Sequence, residues 1–140
     1  MTPSHVRHPG HDLHETDTQG HVNQSVYVNY AEHARWSLLQ AAGITQAALI
    51  ARGVGPVALE TTIRCKRELL AGDEVDVTCV FESSGGKTFR IEQVMHRADG
   101  TVAAELTAVG GLLDLKTRRM VPDPQNHFKE LASDPALFGL

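Results

Sequence analysis

The sequence predicts an α+β fold in which one long helix covers an antiparallel sheet. Apolar residues recur at spacings of three and four between Ser25 and Gly43, which is the period of an α-helix. From Val57 to Leu115 the apolar period changes to two, in four runs separated by turn sequences. Strands with one apolar face need a cover, and the helix is the largest apolar surface available for it.

The totals of the chain exclude several classes of protein. A length of 140 residues is usual for one domain, so we expect a single domain over residues 1–140. The formal net charge of −4 provides no basic field for nucleic acid or an anionic membrane. The N-terminus lacks the apolar core of a signal peptide, and no apolar run approaches a membrane span. We therefore expect a cytoplasmic protein with no nucleic-acid or membrane partner.

The long helix is expected to end at Gly43, a residue suited to a C-terminal cap. Small residues on its apolar face would let a sheet approach closely. Glu32 and Arg35 lie three residues apart, so we expect them to form a surface ion pair. A second, shorter helix is predicted from Thr45 to Ala51. The apolar face of the long helix comprises Tyr27, Tyr30, Ala31, Ala34, Leu38 and Ala41.

Four strands are predicted, and the last of them contains an irregularity. Gly110-Gly111 indicates a bulge where the alternation shifts register. Cys65 and Cys79 fall on the apolar faces of their strands, and without an export signal both are expected to be reduced core residues. A short helix at 126–132 would pack on the body of the domain or on a second subunit. The predicted strands cover residues 57–66, 75–82, 89–96 and 102–115.

Four histidines recur every third residue near the N-terminus. One interpretation is a metal site, and the other is a polar leader or an irregular first strand. A spacing of three suits one face of a helix, but Pro9-Gly10 disfavours a helix there. No cysteine lies nearby to complete a familiar zinc pattern, so we expect no metal. These histidines are His5, His8, His11 and His14.

The densest set of reactive side chains directly precedes the long helix: Asp17, His21, Asn23 and Gln24. A helix start offers unpaired N–H groups and a partial positive charge. A carboxylate just upstream could act on a carbonyl whose oxygen those groups hold. A plainer interpretation stays open, because Asp17-Thr-Gln-Gly has the residues of a type I turn and Asn23 is an acceptable N-cap.

These residues together resemble a known family. The string Asp17-Thr-Gln-Gly-His-Val-Asn, the aromatic Tyr27, the long helix and the strands resemble the hotdog-fold acyl-CoA thioesterases of the 4-hydroxybenzoyl-CoA thioesterase type. The stretches 64–75 and 97–105 are similar to later parts of the same family. The resemblance covers about residues 12–122, which leaves 123–140 as a C-terminal extension. It implies the hotdog fold, a long central helix wrapped by a five-stranded antiparallel sheet.

The resemblance also implies an acyl-CoA or acyl-carrier-protein thioesterase that needs no metal or redox cofactor. Asp17 would act as nucleophile or as general base on water, and N–H groups near Asn23 and Gln24 would hold the thioester oxygen. His21 would orient water or the substrate. Tyr27 would line the acyl pocket or belong to the core, and its apolar helical spacing favours the core. A homodimer or tetramer is implied, with sheets joined edge to edge and active sites at the dimer interface.

Two basic residues are candidate contacts for the CoA part of the substrate. Arg64 and Lys66 alternate on the polar face of a strand, where they are either a solvated edge or contacts for the phosphates of CoA.

One alternative function is a hotdog hydratase or dehydratase that pairs His21 with Asp17. The other is a non-catalytic module that binds acyl thioesters.

Overall fold

The computed structural model describes residues 4–8, 24–69, 73–83 and 85–138, and it gives only the backbone of 4–8, 24–25 and 138. Helices and strands are both present, as the α+β prediction requires. In chain order the elements are β1 (Ser4–His8), α1 (Gln24–Ala41), α2 (Gln46–Ala51), β2 (Val54–Cys65), β3 (Val75–Ser83), β4 (Thr88–Arg97), β5 (Val102–Asp114), α3 (Pro124–Leu131) and a 3₁₀ turn (Pro135–Phe138).

One antiparallel sheet of five strands contains all the described strands, in the order β1-β3-β4-β5-β2. Strands β3, β4 and β5 follow one another in the chain and are neighbours in the sheet. Strand β1 pairs with β3 at one edge of the sheet, and β2 pairs with β5 at the other. Helix α1 is the next element after β1 in the sequence. It contacts both β1 and β3. No helix in the described ranges is long and apolar enough to cross a membrane.

Helix α1 is close to the sheet because its buried face carries small side chains. Ala31 and Ala34 have no exposed surface, and Tyr30 and Leu38 are almost fully buried beside them. The helix is followed by Gly43, whose φ of +89° is the left-handed conformation of a C-terminal cap. The predicted C-terminal cap is therefore confirmed.

The bulge lies on a different strand from the one predicted. The register of β2 against β5 shifts between Ala58 and Glu60, so Leu59 on β2 is the extra residue. Gly110 stands opposite Ala58, and a Cβ atom there would lie 2.8 Å from the carbonyl oxygen of Val57. Gly110 is required for this close approach of two strands and does not itself carry the inserted residue.

The two cysteines differ in exposure, and the prediction that both lie in the core is wrong for Cys65. Both are free, but Cys65 is exposed and Cys79 is buried. Cys65 belongs to β2, an edge strand in which Val54 is the only buried residue. Burial raises the pKa of the Cys79 thiol to about 12, so it stays protonated at neutral pH.

The C-terminal extension packs on the body of its own chain. Phe128 of α3 is 1% exposed, and its ring stands edge-on to the rings of Phe81 and Phe89, with centroids 5.4 and 5.5 Å away. The backbone N–H of Ser133 donates to the carbonyl of Ala42 at 2.8 Å. Of the two placements expected for this segment, packing on the domain is the one observed.

Replacing the buried ring of α3 tests this attachment. We expect Phe128→Ala to lower the free energy of unfolding by about 3–5 kcal/mol, because it leaves a cavity beside the rings of Phe81 and Phe89. Urea denaturation followed by circular dichroism measures the change. The neighbouring, exposed Lys129→Ala is the control and should alter stability by less than about 0.5 kcal/mol. Equal effects of the two substitutions would show that α3 does not contribute to the core.

Candidate functional site

A cavity of about 200 Å³ lies between α1 and the sheet. Its walls are mainly apolar and come from six elements, α1, the strands β2 to β5 and α3, so the site depends on the complete fold. Small-molecule sites are typically apolar cavities in which a few polar groups fix the orientation of the ligand. The apolar side chains of its wall include Trp36, Leu38 and Leu39 of α1, Pro56 and Val57 of β2, Phe81 of β3, Phe89 and Ile91 of β4, and Phe128 of α3.

A charged side chain, Arg35, also lines this cavity. Its Nε donates a hydrogen bond to Oε1 of Gln93 on β4 at 2.9 Å. Nε2 of Gln93 in turn donates to the carbonyl oxygen of Ala31 in the middle of α1 at 2.8 Å. Gln93 is only 1% exposed, so its bond to Ala31 is shielded from water, while its bond to Arg35 is partly buried. The chain Ala31–Gln93–Arg35 therefore holds the guanidinium at a set place in the wall of the cavity.

The hydrogen bonds of Arg35 are incomplete. Within the part of the chain that the structure describes, its Nη2 is buried and has no hydrogen-bond partner. Burial lowers the pKa of Arg35, while the charge of Glu32 acts in the opposite direction. A guanidinium is not deprotonated in proteins, so a charged group with an unused donor faces a largely apolar environment. Such a group costs free energy unless something accepts from it.

The predicted surface ion pair between Glu32 and Arg35 is wrong. No ion pair joins the two in the described ranges, and the Arg35 side chain turns inward to Gln93. A signal for this arrangement is present in the sequence, because Gln93 occupies an inward position of β4 that periodicity assigns to apolar residues. The other inward residues of this strand are Phe89, Ile91 and Met95. A polar residue at that position needs a buried partner, and the arginine on the facing helix supplies it.

The predicted reactive cluster precedes α1 in the sequence and falls mostly outside the described residues. Asp17, His21 and Asn23 are not described. Gln24 is the first residue of α1, one position before the predicted start, and its side chain is not described. The roles assigned to these four residues stay predictions.

Tyr27 belongs to the core and does not line the cavity. It is 4% exposed and packs in a buried cluster that includes Leu69, Val75 and Met95. Burial raises the pKa of its phenol above the ordinary value. Of the two placements considered for Tyr27, the structure has the core one.

Arg64 and Lys66 are both exposed at the end of β2. Arg64 stands opposite Glu105 in the register of β2 and β5, and Lys66 Nζ lies 3.7 Å from the same carboxylate. Glu105 therefore offsets part of the positive charge that a phosphate would meet here. Among the described residues no group of three His, Cys, Asp or Glu side chains is arranged to hold a metal ion. The side chains of the four N-terminal histidines lie outside the described residues.

Residues 12–131 match the model of the thioesterase-like superfamily. The chain is 27% identical over 104 residues to the long-chain acyl-CoA thioesterase FadM of Escherichia coli strain K12. That match covers 74% of this chain and 78% of the relative.

Two solved structures have the same fold at low sequence identity. A 1,4-dihydroxy-2-naphthoyl-CoA thioesterase from Synechocystis superposes with a TM-score of 0.81 and 17% identity, over 93% of this chain and 96% of that one. A hypothetical protein from Staphylococcus aureus, solved in complex with CoA, gives a TM-score of 0.78 and 17% identity, over 94% and 87% of the two chains. The predicted hotdog fold is therefore confirmed.

Removing the amide of Gln93 tests the buried hydrogen bonds. We expect Gln93→Leu to lower the free energy of unfolding by about 1–3 kcal/mol, because Nε of Arg35 loses its partner inside the protein. The double variant Arg35→Met/Gln93→Leu should lose less than the sum of the single variants, since both ends of one bond are then gone.

Thermal and urea unfolding of the four proteins, including the wild type, measure the coupling. The exposed Gln40→Leu on the same helix is the matched control, with an expected change within about 0.5 kcal/mol. Additive losses in the double variant would contradict the coupling of Gln93 and Arg35.

Proposed function

The chain belongs to the thioesterase-like superfamily, and we propose on that basis that this thioester hydrolase cleaves an acyl-CoA or acyl-carrier-protein thioester to a free acid and a thiol. The observation that carries the proposal is the extent of the family match. It spans residues 12–131, which include the Asp17 segment, α1, the sheet from β2 to β5 and α3. The reactive segment and the elements that form the cavity are thus matched together.

The proposed chemistry needs a nucleophile and donors for the oxyanion. Asp17 either activates a water molecule or attacks the carbonyl carbon itself. In the first route the water oxygen forms the new C–O bond, the C–S bond breaks, and the proton that Asp17 takes from the water passes to the leaving thiolate. In the second route the C–S bond breaks as a mixed anhydride forms on Asp17, and a water molecule then cleaves the anhydride to the free acid while its proton neutralises the thiolate. The carbonyl oxygen would be held by N–H groups near Asn23 and Gln24. Support comes from the start of α1 at Gln24, because N–H groups in a first helical turn have no partners within the helix.

Coenzyme A thioesters are the preferred substrate class in this proposal. FadM is named a long-chain acyl-CoA thioesterase, and two solved structures of the same fold are described as a CoA-ester thioesterase and a CoA complex. The apolar cavity would receive the acyl group, and Arg64 and Lys66 remain the proposed contacts for the CoA phosphates. His21 would orient water or substrate. The proposal requires no metal or redox cofactor, and the cytoplasm remains the expected location.

A panel of acyl-CoA esters, with release of free thiol as the readout, tests the proposal. We expect turnover by the wild type and a loss of roughly 10²–10⁴-fold in kcat for Asp17→Asn, which removes a general base or nucleophile. The matched control is Asp134→Asn, the same change at an exposed aspartate near the C-terminus, with kcat unchanged. An enoyl product without thiol release, or tight binding without turnover, would contradict hydrolysis.

The exposed edge of the sheet suggests how two copies would join. Strand β2 has 12 residues, lies at the edge, and is mostly exposed on both faces. A long edge strand presents backbone groups ready to pair with another chain. We propose a homodimer in which the β2 strands of two copies pair and continue the sheet, alone or as half of a tetramer. Because β2 also lines the cavity, the second copy would then lie next to it.

A charge placed on this edge tests the dimer. Leu59 of β2 is 53% exposed, and Leu59→Lys should raise the dimer dissociation constant about tenfold or more, because an edge lysine opposes strand pairing. Ile50 of α2 is 56% exposed and lies off the edge, so Ile50→Lys is the matched control and should leave the constant unchanged. Sedimentation velocity over a range of concentrations gives both values. A larger effect at Ile50 would place the interface elsewhere.

A further inference from the structure

We propose that Arg35 selects thioesters whose acyl chain carries an uncharged oxygen, a hydroxyl or keto group, in its outer half. The proposal rests on the proposed function and concerns the same cavity. It makes Arg35 a specificity-determining residue that contacts the acyl group and takes no part in breaking the thioester bond.

The need for an oxygen follows from the hydrogen bonds of the guanidinium. One of its donors, Nε, is bonded to Gln93, while Nη2 is buried and unpaired among the described residues. Gln93 is itself anchored to the carbonyl of Ala31, so its bond to Nε fixes the place of the guanidinium in the cavity wall. A hydrocarbon chain in this cavity would leave Nη2 without an acceptor, whereas an oxygen on the chain would accept from it. Hydrogen bonds to charged groups are among the stronger ones in proteins.

The need for an uncharged oxygen follows from Glu32. Glu32 lines the same cavity one turn before Arg35, and its charge already acts on the guanidinium. A carboxylate on the substrate would be attracted by Arg35 and repelled by Glu32. It would also lose its hydration against walls that are otherwise mainly apolar, including Trp36, Phe81 and Phe89. A hydroxyl or keto group is not repelled by Glu32, costs less to dehydrate than a carboxylate, and still accepts the hydrogen bond.

The position of the oxygen follows from the length of the helix. The proposed oxyanion site lies at Gln24, and Arg35 stands eleven residues further along α1. At a rise of 1.5 Å per residue this separation is about 16 Å along the helix axis. A group that meets Arg35 is therefore remote from the thioester carbon, in the outer part of a medium or long acyl chain.

A panel of esters of equal chain length tests the proposal: dodecanoyl-CoA, its β-hydroxy and ω-carboxy derivatives, and a set with one hydroxyl at successive positions of the outer half. For the wild type we expect kcat/KM for the best outer-half hydroxy ester to exceed that for dodecanoyl-CoA by about tenfold or more. The β-hydroxy and ω-carboxy esters should show no such gain. Equal rates for all esters, or the largest gain for either of these two, would overturn the proposal.

Variants assign the selection to Arg35. Arg35→Met should lower kcat/KM for the preferred ester by roughly 10- to 100-fold and leave that for dodecanoyl-CoA within about threefold. The matched control is Arg90→Met, the same change at an exposed arginine of β4, which pairs with Glu92. Arg35→Lys keeps the charge and shortens the reach, so it should retain part of the preference. An equal loss on both esters in the Met variant would mean that Arg35 only supports the fold.

A binding measurement separates failure of this inference from failure of the proposed function. Trp36 is the only tryptophan of the chain and lines the cavity, so its fluorescence reports occupation directly. In Asp17→Asn protein, the outer-half hydroxy ester should bind about tenfold or more tightly than dodecanoyl-CoA. Binding with this preference but without hydrolysis by the wild type would support the inference and contradict the proposed function. Hydrolysis without any preference in rate or binding would do the reverse.

Discussion

The hydrogen bond from Gln93 to the carbonyl of Ala31 joins the central helix to the sheet, and much of the candidate site depends on it. A helix carbonyl already accepts within its helix, so a second donor from a neighbouring strand requires close approach. Ala31 and Ala34, which have no exposed surface, permit that approach. Once Gln93 is committed to the helix backbone, its other amide atom accepts from Arg35 and places the guanidinium in the cavity wall. A buried network of hydrogen bonds is stable only when its donors and acceptors are paired. Among the described residues, Nη2 of Arg35 has no partner.

Strand β2 has to meet two different requirements. Its first residues form part of the cavity wall, while most of the strand is an exposed edge. The extra residue Leu59 separates these two parts, and Gly110 lets the neighbouring strand approach the bulge. If two copies pair through this edge, only a few residues of β2 separate the contact between subunits from the cavity. Assembly and substrate binding would then be linked through one strand.

The C-terminal extension forms part of the cavity wall and packs on the core of the domain. Phe128 fills the space next to Phe81 and Phe89, and all three rings lie in the cavity wall. Loss of α3 would therefore open one side of the cavity as well as expose the rings. The family match includes this helix, since it extends to residue 131. Residues 123–131 thus belong to the region that the family model matches, even though the resemblance seen in the sequence stopped near 122.

The elements of this protein were determined by the sequence itself, because hydrophobic period, turn residues and a helix-capping glycine act over a few neighbouring residues. The α+β class, α1 with its cap at Gly43 and the four strands of the hairpin region all follow from such local signals. Contacts between distant segments were decided only by the tertiary structure. The partner of Arg35 lies 58 residues away on β4, and the exposure of Cys65 depends on β2 being an edge strand. Alternation along one strand indicates which residues share a face, but not whether another element covers that face.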